Sequence, residues 1–197
     1  QETGLLLMRE LGKTKAAGTA VRVLRCLREQ GLEINSRIMS TALYACSKVS
    51  ASVQALQLFG EMADCLADMD TFSYNVAISA CETGETWRQA VQFLCDMAHR
   101  RVETDGITFS SAVSACDKGG EWQQALQVLG DMVKAAVEQN NISCSAAISA
   151  CANGGEWRTA VRLLREMRDS RIQMNTVTYS AAIRACGKGG AWRRVSH

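Results

Sequence analysis

The feature that most constrains this chain is a period of 35 residues. Three residue types follow it independently. The columns are Cys46, Cys81, Cys116, Cys151 and Cys186; Trp87, Trp122, Trp157 and Trp192; and Met62, Met97, Met132 and Met167. Self-similarity at a fixed period of this length is typical of supersecondary units that stack on one another. The period therefore predicts a repeat protein, in which each block contacts mainly its neighbours.

The period divides the chain into blocks. A divergent first block covers 1–35, complete blocks cover 36–70, 71–105, 106–140 and 141–175, and a truncated block covers 176–197. The first residue is Gln1, and the last block stops soon after Trp192. We therefore interpret the chain as a segment of a longer protein and expect any targeting peptide to lie upstream of it.

Each block has the apolar spacing of two helices. In block 71–105, Tyr74, Ala77, Ile78 and Cys81 share one helical face, and Trp87, Ala90, Val91 and Leu94 repeat that spacing. Glycines separate the two runs, as at Gly119–Gly120, and Pro is absent, which favours helices throughout. A lone hairpin cannot bury both apolar faces, so stacking into a solenoid with one concave face is predicted.

The Trp column predicts how the hairpins are joined. A Trp at the start of each second helix would fill the gap to the next hairpin and bury a large apolar area. Small residues on the first helices, such as Ala77 and Ala80, would let backbones approach closely. The first two blocks have Ala17 and Ser52 in place of Trp, so we expect them to be less tightly packed.

Composition excludes several classes of protein. The 22 basic and 20 acidic residues give a net charge of +2, too balanced to indicate a nucleic-acid partner by itself. No apolar stretch reaches membrane-spanning length. The nine Cys are odd in number, without CxxC spacing, and we expect reduced packing residues in place of disulfides. No catalytic or metal-binding set emerges around His99 or elsewhere, so we predict a non-enzymatic chain without metal or cofactor.

The motifs resemble the pentatricopeptide repeat family, of its P type. Residues 71–81 are similar to that family's first helix and residues 90–97 to its second. The resemblance implies an all-α fold, a right-handed superhelical solenoid of antiparallel helix hairpins that binds single-stranded RNA with one base per repeat. The tetratricopeptide repeat, which usually binds peptides, is the alternative. Its early Trp, Leu-Gly and Tyr pattern is missing here, because Trp opens the second helix instead.

The resemblance also implies which residues recognise bases, namely the fifth and the last of each block. These are Ser40 with Asp70, Asn75 with Asp105, Ser110 with Asn140, Ser145 with Asn175, and Ser180 without a partner in this chain. The family's pairing rules imply the target G-U-A-A, running 5′ to 3′ with the chain. The alternative interpretation is that these short polar residues only cap helices and close loops.

Two further columns complete the expected RNA surface. The second residues, Arg37, Phe72, Ile107, Ile142 and Val177, would stack on the bases, or would simply be partly buried helix-start residues. A lysine column of Lys13, Lys48, Lys118 and Lys188 would contact phosphates, with Thr83 and Asn153 interrupting it. The alternative for these lysines is a row of solvated turn residues.

The expected partner is an organellar transcript, bound during RNA processing, stabilisation or translation, with a plastid placed ahead of a mitochondrion. We expect no membrane partner, and we expect protein partners in RNA processing. Two other hypotheses stay open. One is a scaffold that binds a peptide on the same concave face, and the other is the targeting arm of a larger RNA-processing enzyme.

Overall fold

The computed structural model describes residues 22, 41–44, 46, 52–64, 69–83 and 86–188. Regular structure in that part of the chain is helical throughout. The helices are α1 (Ser52–Asp64), α2 (Thr71–Thr83), α3 (Trp87–Arg100), α4 (Gly106–Lys118), α5 (Trp122–Lys134), α6 (Asn141–Asn153), α7 (Trp157–Asp169) and α8 (Thr176–Lys188). The all-helical prediction is confirmed.

The helices form hairpins at the period of the sequence. The first helices of successive hairpins, α2, α4, α6 and α8, begin at Thr71, Gly106, Asn141 and Thr176, and the second helices, α3, α5 and α7, each begin at a Trp of the Trp column. The apolar faces predicted for the first helices are buried, and those predicted for the second helices are partly buried: in α3, Ala90 is buried, whereas Trp87, Val91 and Leu94 are half-buried. In α6, for example, Ala147, Ile148 and Cys151 have no exposed surface.

The hairpins stack unequally in two layers. Each first helix packs against the first helices before and after it, against its own second helix and against the second helix of the preceding hairpin. Successive second helices are held apart, and between α3 and α5 lies a groove of about 850 Å³ whose walls include Val91, Leu94 and Val128. The crowded layer of first helices therefore lies on the inner side of the curve and the spread layer of second helices on the outer side.

The Trp side chains pack one hairpin against the next, as the Trp column predicted. A Cβ placed on Gly119 would lie 2.3 Å from Cδ1 of Trp87, and one on Gly154 would lie 2.2 Å from Cδ1 of Trp122. No real Cβ approaches another atom that closely, so the indole ring can lie here only on a bare glycine. The Trp of one repeat and the first of the paired glycines in the next thus form a single contact.

The second helices α3, α5 and α7 each end in a left-handed residue that is not glycine. The three are Arg101, Ala136 and Arg171, with φ of 56°, 55° and 57°. The next residue donates its N–H to the carbonyl of the Met column, as from Val102 to Met97 at 2.9 Å and from Ile172 to Met167 at 2.8 Å. This is the bonding of a Schellman motif, which satisfies carbonyls that would otherwise lack a partner.

The cysteine column is a packing column, as predicted. Cys46, Cys81, Cys116 and Cys151 have no exposed surface. Burial raises the pKa of Cys116 to about 12 and that of Cys151 to about 11, which keeps both thiols protonated. Across the described ranges, no cluster of three His, Cys, Asp or Glu could hold a metal ion. None of the helices described is long and apolar enough to cross a membrane.

Candidate nucleic-acid interface

The last residue of each block caps the first helix of the next block. Oδ1 of Asp105 accepts from the N–H groups of Ile107 at 3.0 Å and Thr108 at 2.8 Å. Oδ1 of Asn140 accepts in the same way from the second and third residues of α6, and both ends form capping boxes. Asp105 and Asn140 therefore cap helices, which does not exclude a second role for either side chain. Capping leaves a second functional atom on each side chain, Oδ2 of the carboxylate or Nδ2 of the amide.

In block 71–105 that second atom meets the fifth residue. Nδ2 of Asn75 donates to Asp105, at 3.2 Å from Oδ1 and 3.3 Å from Oδ2. Burial alone would raise the pKa of Asp105, but hydrogen bonds from Thr108, Asn75 and Ile107 outweigh it and lower that pKa below its usual value. Asp105 is thus an ionised acceptor at neutral pH. Oδ1 of Asn75 accepts from Oγ1 of Thr108 at 2.6 Å.

In block 106–140 the fifth and last residues also meet. Nδ2 of Asn140 donates to Oγ of Ser110 at 3.1 Å, while Oγ of Ser110 donates to the carbonyl of Gly106 at 2.6 Å. Ser110 is only 5% exposed. The half-buried amide of Asn140 is therefore the larger polar group that this pair presents to solvent.

Block 141–175 carries the same two residue types in a different arrangement. Oγ of Ser145 lies 2.6 Å from Oγ1 of Thr178, and Oγ1 of Thr178 in turn lies 3.0 Å from Oδ1 of Asn175. Thr178 thus stands between the fifth and the last residue. Asp70 caps α2 through Ser73, and Ser180 is exposed on α8. Ser40 lies outside the described residues.

The second residues form an exposed apolar row, one on each first helix. The exposed fractions are 41% for Phe72, 64% for Ile107, 60% for Ile142 and 63% for Val177. Their exposure leaves a large apolar side chain accessible on each of these first helices. In α4 and α6 this side chain is the second residue after the helix cap, and its N–H donates to the capping side chain, so the row and the capping residues border one another. Arg37 lies outside the described residues.

An aromatic ring that the sequence did not single out extends this row. Tyr44 is 43% exposed, and its ring centroid lies 6.2 Å from that of Phe72. Tyr44 is the ninth residue of its block, where the other blocks have Ser79, Ser114, Ser149 and Arg184. Its column therefore gave no periodic aromatic signal that could have revealed it.

The lysine column is accompanied by acids. Lys118 and Lys188 are exposed at the ends of α4 and α8, whereas Lys13 and Lys48 lie outside the described residues. Asn153, which interrupts the column, donates its amide to Asp117 at 3.0 Å. Burial raises the pKa of Asp117, against the opposing effect of hydrogen bonds from Ser149 and Asn153 and the charges of Lys118 and Arg184.

Asp117 belongs to a ladder of polar side chains that the sequence analysis missed. Nη2 of Arg184 donates to Ser149 at 2.9 Å, so contacts run from α4 through α6 to α8 along the inner layer. Glu82 occupies the same column one block earlier, and burial raises its pKa against a hydrogen bond from Ser111. The signal available was the 35-residue spacing of Glu82 and Asp117. This part of the inner layer is therefore mixed in charge.

Comparison with known proteins gives the class of this fold. Residues 139–188 match the model of the PPR repeat family. The pentatricopeptide repeat protein PPR10, a maize protein, in complex with an 18-nt psaJ RNA element is 25% identical, with a TM-score of 0.69 over 98% of this chain and 30% of that one. The comparison with curated proteins found no match.

Two structures from A. thaliana share the fold at lower identity. Nuclear proteinaceous RNase P 2 has 14% identity and a TM-score of 0.86 over 96% of this chain and 43% of its own. The PPR domain of protein-only RNase P 1, in complex with tRNA, has 16% identity and a TM-score of 0.78 over 92% and 97%. The chain is thus a solenoid of helical hairpins, and it spans less than half the length of PPR10 or of RNase P 2. Residues 139–188 are thus similar to the PPR repeat family, and the chain as a whole shares the helical-hairpin fold of these structures.

Proposed function

We propose that this chain binds single-stranded RNA sequence-specifically, with one base at each repeat. The observation that carries the proposal is the junction between hairpins. There a hydrogen-bonded polar pair borders an exposed apolar side chain, as with Asn75, Asp105 and Ile107. A flat apolar surface beside fixed donors and acceptors suits a base, which needs both a stacking partner and an edge contact. The RNA-bound PPR10 structure supports the same class of ligand.

The Asn75–Asp105 pair has the polarity of a uracil partner. Its amide nitrogen keeps a second proton for an outward hydrogen bond, and its carboxylate is ionised and accepts only. Uracil offers a carbonyl oxygen next to an N–H on its pairing edge, so one donor and one acceptor match it. Phe72 lies on the same helix as Asn75, and Ile107 lies on the helix that Asp105 caps. These two side chains would lie on either face of that base.

The remaining pairs complete a short target. Asn140 carries an amide beside Ser110, and in the family this combination recognises adenine. Ser145 with Asn175 is the same combination. Ser40 with Asp70 leans toward guanine. The proposed target is therefore G-U-A-A for blocks 36–70 to 141–175. Stacking contributes roughly 1–3 kcal/mol per base, so binding by so few repeats is expected to be weak.

The test is binding of this chain to two RNAs of the same composition. One carries 5′-GUAA-3′ and the other 5′-AAUG-3′, each flanked by cytidines, with affinity measured at low salt, where phosphate contacts are strongest. The proposal expects tighter binding of GUAA at every salt concentration. Equal affinity for the two RNAs, or none for either, would contradict it and favour the peptide-binding scaffold.

The cellular part of the proposal is a role on an organellar transcript, in a plastid ahead of a mitochondrion. It rests on the resemblance to the family alone. Whether the complete protein carries an enzymatic domain beyond the repeats is a separate question. A fluorescent fusion of the full-length protein tests the location, and a cytosolic or nuclear signal would contradict it.

A further inference from the structure

A column of buried hydroxyls lies behind the polar pairs. The third residue of each described block is Ser or Thr and has no exposed surface; these residues are Ser73, Thr108, Ser143 and Thr178. The hydroxyls of Thr108, Ser143 and Thr178 accept from the N–H of the capping residue, as Thr108 does from Asp105 at 3.1 Å. The capping box explains why a hydroxyl stands here. It does not explain the contacts that some of these hydroxyls make with the preceding repeat.

The hydroxyls of Thr108 and Thr178 reach back to the fifth residue of the preceding block. Oγ1 of Thr108 lies 2.6 Å from Oδ1 of Asn75 and 2.9 Å from Oδ1 of Asp105. Since the hydroxyl has one proton, the shorter contact to Asn75 takes it. Oγ1 of Thr178 reaches Oγ of Ser145 at 2.6 Å in the same way.

We propose that a third residue that contacts the fifth residue of the preceding block, as Thr108 does, is a positioning residue for base recognition by that preceding block. This inference rests on the proposed function. With Thr108 on its oxygen and Asp105 on its nitrogen, the Asn75 amide is held in one orientation, and only N–H remains to face outward. Without the Thr108 hydroxyl, the amide oxygen loses its partner, and the side chain is free to turn and present an acceptor instead.

The two Ser–Asn pairs show what the third residue changes. Behind Ser110 stands Ser143, whose hydroxyl donates to the carbonyl of Asn140 at 3.0 Å, and Ser110 and Asn140 bond directly. Behind Ser145 stands Thr178, which bonds Ser145 itself. The same fifth and last residues thus carry different hydrogen bonds. Identical pairs are therefore expected to differ in how strongly they prefer adenine when the third residue behind them differs.

The experiment measures base preference opposite block 71–105 in this chain. The RNA is GUAA with its second base changed to C, A or G, and the variants are Thr108→Val and Thr108→Ser. Losing one hydrogen bond that orients the amide should cut the preference for uracil by about three- to tenfold. Thr108→Ser keeps a hydroxyl and should keep the preference. Preferences opposite the other blocks should stay unchanged in both.

Ser143→Ala is the matched control. It removes the equivalent capping-box hydroxyl from α6, so its melting temperature should fall as far as that of Thr108→Val. The uracil preference opposite block 71–105 should remain. An equal loss of that preference in Ser143→Ala would reduce the role of Thr108 to stability and overturn the proposal.

A second variant guards against a Thr108→Val chain that fails to fold. Ser143→Thr keeps the cap and supplies the larger residue found at Thr178, so the strength of the adenine preference opposite block 106–140 should shift to that measured opposite block 141–175. Unchanged preferences in Ser143→Thr and Thr108→Val would overturn the positioning role but leave the proposed function standing. If the unmodified chain distinguishes no bases at any position, the positioning role and the proposed function are both overturned.

Discussion

The last residue of each block serves two purposes through two different atoms. Oδ1 of Asp105 and of Asn140 caps a helix, while the second atom of each side chain contacts the fifth residue of its own block. A cap of this kind stabilises a helix by about 1 kcal/mol, which is reason enough for Asp or Asn at this position. Capping and base recognition are therefore compatible interpretations of the same column.

Exchanging one pair for another should exchange the base. Asn75→Ser combined with Asp105→Asn copies the pair of the next two blocks and retains the cap, because Asn140 caps α6 with the same geometry. The preferred base opposite block 71–105 should move from uracil toward adenine, with little loss of affinity for the best RNA. Competition among four RNAs that differ only at the second base measures this. An unaltered preference would exclude these two residues as the determinant.

The Asp105 carboxylate should contribute to the free energy of unfolding in a way that depends on pH in the acid range. Its pKa is lowered in the folded chain, so its stabilising effect is complete above the unfolded value of about 3.9 and is lost as pH falls through the folded value. Asp105→Asn keeps the cap but cannot ionise. The wild-type chain should melt higher than this variant at neutral pH, and the gap should close in acid. A gap that is constant from pH 7 to pH 3 would contradict the ionised state.

At the scale of the element, the ends of the second helices are strained in a regular way. Arg101, Ala136 and Arg171 adopt left-handed backbone, a conformation that costs residues with a Cβ roughly 1–2 kcal/mol. The column gave no sequence signal, because left-handed helix ends are expected at Gly or Asn. This is why the sequence located the ends of the second helices less well than their starts, which Trp marks.

Glycine at one of these ends should stabilise the chain. Ala136→Gly relieves the left-handed strain at an exposed position, and unfolding should cost up to about 1 kcal/mol more, since the added chain entropy offsets part of the gain. The control is the neighbouring Ala135, exposed but with φ of −76°, where Gly should destabilise by about 0.5–1 kcal/mol. Thermal or denaturant unfolding distinguishes the two. The same sign for both substitutions would contradict the strain argument.

The contact between Trp and Gly makes the opposite prediction for another glycine. Gly154→Ala would place a Cβ 2.2 Å from Cδ1 of Trp122, so the indole ring must move and the hairpins separate. We expect a loss of about 1–3 kcal/mol, the usual cost of overpacking. Gly130, inside α5 with nothing within 4 Å of an added Cβ, is the control, where Ala should stabilise by about 0.5–1 kcal/mol. Equal melting temperatures for the two variants would show that the contact is loose.

For the whole molecule, the sequence predicted the columns in which one apolar residue type recurs and missed the columns of mixed or polar residues. Hairpins, buried cysteines and the Trp contacts followed from columns such as Cys81 and Trp122, because helical spacing and residue size determine them. The contact of Thr108 with Asn75 could not be predicted, since a capping box requires the same hydroxyl. The burial of Ser110 depends on how closely α4 and α6 approach, and that distance is a property of the stack.

The unequal packing of the two layers should make the inner layer stiffer than the outer layer. First helices contact one another along the inner layer, whereas second helices are separated by grooves such as that between α3 and α5. Bending and twisting of the solenoid should therefore open and close these grooves, with little rearrangement of the inner layer. A strand bound along the inner layer would then keep its register with the hairpins while the pitch of the superhelix changes, so that elastic deformation and recognition take place on opposite faces of the same structure.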